Sequence, residues 1–104
     1  MLYIDEDNRI RITGVKDPDT KLYVNDAIAT FDILDEDGVE IDGMTDLSLT
    51  NVAGSNGDYV GYLPKDSAGL LTEANRYYVA ITLASSGRNM YRRVAVTAVY
   101  HGAT

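Results

Sequence analysis

The sequence predicts an all-β domain, an antiparallel sandwich of about seven strands. Three observations carry this. Apolar residues alternate in short runs, the period-2 pattern of half-buried strands; clusters of Gly, Asn, Asp and Pro separate the runs; and no long window keeps the 3.6 period of a helix. At 104 residues the chain has the size of a single domain, residues 1–104, and folding should bury roughly 60–65% of the surface exposed by the unfolded chain. That is enough for one core and too little for two.

Ile10 and Ile12 flank Arg11 and define a first strand over 9–14, ended by Gly14. Residues 15–21 contain Asp17-Pro18-Asp19 and read as a loop, because proline removes a ladder donor and aspartate favours turns. Over 26–34, Ala27, Ala29, Phe31 and Ile33 share one face, and Phe31, the sole phenylalanine, belongs to the core. Asp35-Glu36-Asp37-Gly38 then turns the chain, with Gly38 supplying the positive φ of a tight hairpin. Residues 39–41 return as a strand, Gly43 breaks or bulges it, and Leu47 and Leu49 mark the next. Residues 51–58 are too polar and glycine-rich to be anything but a loop.

Tyr59, Gly61 and Leu63 share a face of the following strand, which Pro64 ends, and residues 64–75 leave room for a helical turn at most. Tyr77, Val79, Ile81 and Leu83 alternate cleanly, with Val79 and Ile81 in the core; Ser85-Ser86-Gly87 makes a turn; and residues 90–100 form the last and longest strand. Ile4-Asp5-Glu6-Asp7-Asn8 echoes Leu34-Asp35-Glu36-Asp37-Gly38. Asn and Gly both tolerate left-handed φ, so both segments read as hairpin turns. Strands at these intervals argue a sandwich over a barrel, with closure left open.

Composition excludes several functions. Sixteen acidic residues against nine basic ones give a net charge of −7, which repels phosphate backbones and anionic headgroups, so neither nucleic acid nor membrane is an expected partner. No apolar run approaches the ~20 residues of a membrane span, and the start lacks the basic and apolar regions of a leader, so synthesis in a cytoplasm is expected. With no cysteine, neither a disulfide nor a thiolate nucleophile is possible.

His101, the only histidine, reads as an exposed tail residue rather than a general base. Gly54-Ser55-Asn56-Gly57 lacks the Lys and Ser/Thr of a phosphate-binding loop. Paired carboxylates for glycoside hydrolysis need a cleft, and no tryptophan is available to hold a sugar. The acidic turns at 5–7 and 35–37 could offer oxygen ligands to calcium if they met, but neither has the spacing of a calcium loop. The expectation is a protein that is not an enzyme, with no catalytic residues, metal or cofactor.

Arg88, Arg92 and Arg93 gather three of the nine positive charges around the last hairpin. Arginine and tyrosine are over-represented at interface hot spots, so these residues, joined by Tyr78, Tyr91 and Tyr100, are the candidate interface. The alternative is that they cover the sheet as cross-strand pairs. On the interface reading, replacing Arg92 and Arg93 by glutamate abolishes assembly and leaves thermal unfolding nearly unchanged.

The segment from Leu71 to Val79, L-T-E-A-N-R-Y-Y-V, resembles the tyrosine corner of fibronectin type III and related immunoglobulin-like domains, L-x-P-G-x-x-Y-x-V. The resemblance implies an immunoglobulin-like sandwich in which the Tyr77 ring lies in the core above Leu71 while its hydroxyl satisfies a backbone group. Glu73 and Ala74 stand where the pattern has Pro and Gly, which leaves the turn less constrained. Without the corner, Tyr77 is simply the first core aromatic of its strand.

Taken whole, the runs N-D-A-x-x-T from Asn25, D-x-D-G from Asp35 and G-D-Y-x-G-x-L-P from Gly57, together with the corner, resemble small immunoglobulin-like proteins encoded among the virion genes of tailed bacteriophages and prophages. That resemblance implies a virion part made in the host cytoplasm: a capsid-associated, decoration or head-to-tail neck protein that contacts capsid, neck or tail subunits in a symmetric assembly. The alternative is a cell-surface or carbohydrate-binding immunoglobulin-like module, against which the missing leader and missing tryptophan count.

Overall fold

The structure, a computed structural model, describes residues 1–17, 19–85 and 88–100, with Arg88 described by its backbone alone. Pro18, the Ser86-Gly87 part of the expected last turn, and His101 lie outside the described residues. The fold is all-β, as expected, with seven strands and one short helix among the described residues. They are β1 (Leu2–Tyr3), β2 (Asn8–Ile12), β3 (Ile28–Leu34), β4 (Leu47–Asn51), β5 (Tyr59–Leu63), α1 (Lys65–Ala68), β6 (Arg76–Ser85) and β7 (Arg88–Val99).

The alternation in sequence becomes alternation in burial. Asn8, Ile10 and Ile12 of β2 face inward while Arg9 and Arg11 are exposed. Ala29, Phe31 and Ile33 of β3, Tyr59 and Leu63 of β5, and Tyr77, Val79, Ile81 and Leu83 of β6 are all buried, as is Leu71 before β6. One cluster joins these side chains with Met44, Val15 and Ala68.

Hydrogen bonding runs through all seven strands in the order β1-β7-β6-β3-β4-β5-β2. Every pairing is antiparallel except β1 with β7, which is parallel, so the sheet is mixed. β4 links two layers of this sheet, β1-β7-β6-β3 on one side and β5-β2 on the other. Its residues 47–49 pair with β3, and residues 50 and 51 pair with β5. This hand-over bends the sheet into a nearly closed, barrel-like arrangement, open where β2 approaches β7.

Local expectations meet different fates. The Asp35 turn forms as expected: Gly38 has φ 82, its N–H donates to the Asp35 carbonyl at 3.0 Å, and Asp35 Oδ1 accepts from the N–H groups of Asp37 and Val39, each at 2.9 Å. The returning segment at 39–41 is not a strand. It keeps one bridge, Leu34 with Glu40, between hydrogen bonds from the Asp35 N–H to the Val39 carbonyl at 2.9 Å and from the Ile41 N–H to the Ile33 carbonyl at 3.3 Å, and β4 pairs farther back along β3, at Ala29–Phe31.

The echo at 4–8 is likewise not a hairpin, since β1 pairs with β7 and β2 with β5. The segment crosses between layers. Asn8 acts there through its side chain rather than through φ: Oδ1 accepts from the Tyr3 N–H at 2.6 Å, and Nδ2 donates to the carbonyls of Tyr3 and Glu6 at 2.7 and 3.1 Å. A buried amide thus takes the place of the missing strand partner.

At the corner before β6, the Tyr77 hydroxyl accepts from the Thr72 N–H at 2.8 Å. Ala74, in the place where the pattern has glycine, has φ 69. A β-carbon in that left-handed region costs about 1–2 kcal/mol, while glycine adds unfolded-state entropy worth somewhat less. Ala74→Gly is therefore expected to stabilise the fold by roughly 0.5–1 kcal/mol in urea denaturation.

Candidate functional site

The longest ladder pairs β6 with β7 from Arg76 opposite Thr97 to Ser85 opposite Arg88. Directly opposite residues share a face. One face carries Tyr77, Val79, Ile81 and Leu83 with Val96, Val94, Arg92 and Met90; the other carries Arg76, Tyr78, Ala80 and Thr82 with Thr97, Ala95, Arg93 and Tyr91.

This register divides the residues expected to form one interface. Tyr78, Tyr91 and Arg93 lie together on the outer face, and Arg92 lies on the opposite one beside Val94. Tyr100 follows the end of β7, roughly 30 Å along the strand from Tyr91. The side chain of Arg88 lies outside the described residues.

Arg93 is engaged within the fold. Its guanidinium stacks 3.9 Å from the centroid of the Tyr78 ring, and it passes so near Gly38 that a β-carbon there would sit 3.3 Å from Nη2. Ala80, opposite Arg93 on the outer face, is buried. The side chain thus reaches across β6 to the acidic turn. A cation held over an aromatic face contributes about 1 kcal/mol, so Arg93→Glu is expected to lower the unfolding free energy by about that amount. This corrects the expectation that the paired Arg92 and Arg93 replacement leaves stability unchanged; Arg92→Glu alone should do so, as urea denaturation of the two single variants will check.

The inner face of the hairpin leaves the core before it reaches the end of the sheet. Val79 is buried, yet Val94 opposite it is 53% exposed. A shallow hollow of about 180 Å³ opens there, lined by Arg9, Ile10 and Arg11 of β2, Val79 and Ile81 of β6, and Val94 of β7. A second hollow of about 430 Å³ lies farther along β7, between Met1, Arg76 and residues 95–97. The first was not anticipated from the sequence, because it requires knowing that β2 pairs with β5 and stops short of β7. The available signal was Arg92, a cation amid the inward row Met90, Val94, Val96 and Ala98.

Arg11 at the rim of this hollow is tied down. Its Nη2 lies 2.8 Å from Asp58 Oδ2, and Asp58 Oδ1 accepts from the Gly14 N–H at 3.1 Å. The hydrogen bond from Arg11, then that from Gly14, holds the Asp58 carboxyl below the ordinary aspartate range. A depressed folded-state pKa contributes stability that is complete above the unfolded value and is lost as pH falls through the folded one. The thermal midpoint of the native chain should therefore converge on that of Asp58→Asn as pH falls below the ordinary aspartate range, and separate from it at neutral pH.

The acidic turns have separate partners. Asp7 Oδ1 accepts from the Lys65 N–H at 2.7 Å, whereas Asp35 serves its own turn. Among the described residues no group of three His, Cys, Asp or Glu could hold a metal ion. No protein-family model matches the chain, and neither does any curated protein.

Proposed function

We propose that this chain is a non-catalytic structural protein of a tailed-phage virion, a capsid-associated, decoration or neck component that works through contacts with other virion proteins. The observation that supports contact as its mode of action is β7. This strand is twelve residues long, and it carries Tyr91 and Val94, 59% and 53% exposed, beside Arg92. Tyr91 stands on the outer face of the strand and Arg92 and Val94 on the inner, and exposed tyrosine and arginine are among the residue types enriched at interface hot spots. Assignment to a virion comes from the resemblance of its turns and tyrosine corner. In such an assembly symmetry multiplies weak contacts, so a modest surface per copy is sufficient.

The test is direct. Particles are purified from cells carrying the gene, probed for the chain by mass spectrometry, and imaged by electron microscopy. Density for a 104-residue β domain at symmetry-related positions, meeting its neighbours through β7, is the expected result. Absence of the chain from pure particles overturns the proposal.

A further inference from the structure

We infer that the free edge of β7, with the hollow beside it, takes up an extended acidic strand from a partner protein. This rests on the proposal that the chain acts through protein contacts, and it names the mode and the chemistry.

The backbone direction can be read from the end of the strand. Val99 turns its carbonyl outward to accept from the Ile4 N–H at 2.8 Å, while Ala98 turns inward, bonding Asn75 and Ala74 at 3.1 and 2.8 Å. Backbone groups alternate sides along a strand. Asn89, Tyr91, Arg93 and Ala95 therefore point their N–H and C=O groups to the same side as Val99. There, β1 pairs only with Ala98 and Val99, and among the described residues no strand pairs with the edge from 89 to 95. That is roughly 20 Å of open ladder, the kind of edge to which extended peptides add.

The side chains specify what adds. On the inner face, the new strand would extend the row Val79–Val94 toward β2, placing an apolar residue in the hollow over Val79, Ile81 and Ile10. Arg92 flanks that position on β7 and Arg9 flanks it on β2; Arg11 is occupied by Asp58. On a chain of net charge −7, cations concentrated at an otherwise apolar groove select acidic residues on either side of the apolar one. A second copy fits poorly. Antiparallel pairing of the two open edges over 89–95 sets Arg92 against Arg92, and like charges directly opposite destabilise a ladder.

The experiment titrates the full chain with the peptide Thr-Asp-Thr-Leu-Thr-Asp-Thr and follows amide hydrogen exchange by NMR. Slowed exchange at Asn89, Tyr91, Arg93 and Ala95 is expected. N-methylating alternate peptide amides, which keeps charge and side chains, should weaken binding by about tenfold or more, as should Arg9→Glu with Arg92→Glu. No protection at millimolar peptide, protection elsewhere, or equal binding of the N-methylated peptide overturns strand addition. Protection of the same amides that grows with protein concentration and needs no peptide gives the edge to a second copy and overturns the acidic partner. If the peptide is refused while the chain is found on purified particles, the edge inference fails and the assembly proposal stands; binding by a chain absent from particles gives the reverse.

Discussion

Replacing Gly61 by valine is expected to abolish cooperative folding, and replacing it by alanine to cost about 3 kcal/mol, a large share of the roughly 5–15 kcal/mol that a domain of this size has. Gly61 lies on the inward face of β5, opposite Ile10 of β2. A β-carbon there would stand 2.3 Å from the Ser48 carbonyl oxygen, 2.9 Å from Leu49 Cδ2 and 3.3 Å from Phe31 Cε1. The nearest obstacle is backbone, which cannot rotate away.

The clash falls where β4 leaves β3 to join β5. A methyl group must push β4 off one of its two partners, and the hand-over that bends the sheet is then lost. Gly54→Ala is the control. That glycine has φ 77 but open space around its missing side chain, so only left-handed strain of about 1–2 kcal/mol is expected. Urea denaturation of both variants separates crowding from backbone strain.

Tyr59→Phe should cost more than Tyr77→Phe, about 2–3 kcal/mol against about 1. The Tyr59 ring is fully buried. Its hydroxyl donates to the Val24 carbonyl at 2.7 Å and accepts from the Ala27 N–H at 3.2 Å, tying β5 to the chain just before β3. Removing one oxygen strands a backbone acceptor and a backbone donor in a partly buried place. Tyr77 makes one such bond, to the N–H of the exposed Thr72, which water can replace. Chemical denaturation of the two variants ranks them, and the reverse order would show that the corner before β6 outweighs the pivot at Tyr59.

The sequence pointed to Tyr77 because a spaced motif surrounds it, and it left Tyr59 as one more inward residue of a strand. The difference is one of distance along the chain. Thr72 is five residues from Tyr77, within reach of a local pattern, while Val24 and Ala27 are 35 and 32 residues from Tyr59. The Asp35 turn was legible for the same reason as the corner: its hydrogen bonds span two to four residues. The segment at Asp5 carried the same letters and did not make the same turn, because β1 found its partner in β7, almost the whole chain away.

The candidate interface shows the same division. Composition located arginine and tyrosine on the last hairpin, and strand alternation already separates Arg92 from Arg93. What Arg93 lies against depends on β3 and its turn coming beside β6, and what Arg92 looks out upon depends on where β2 ends.

Local chemistry was sufficient to determine the all-β class, the inward rows of β3, β5 and β6, the Gly38 turn and the corner before β6. Period-2 alternation and the steric limits on φ act within a few residues, so they are present in the chain before it folds. Packing alone decided which strand became whose neighbour. It set β4 between β3 and β5 over a bare Gly61, tied Tyr59 to the chain before β3, laid Arg93 over Tyr78 beside the acidic turn, and left the β7 edge from 89 to 95 unpaired among the described residues. Alternation tells a residue which face it occupies and says nothing of what will lie opposite. That choice rests on many small, long-range contacts summed over the whole core.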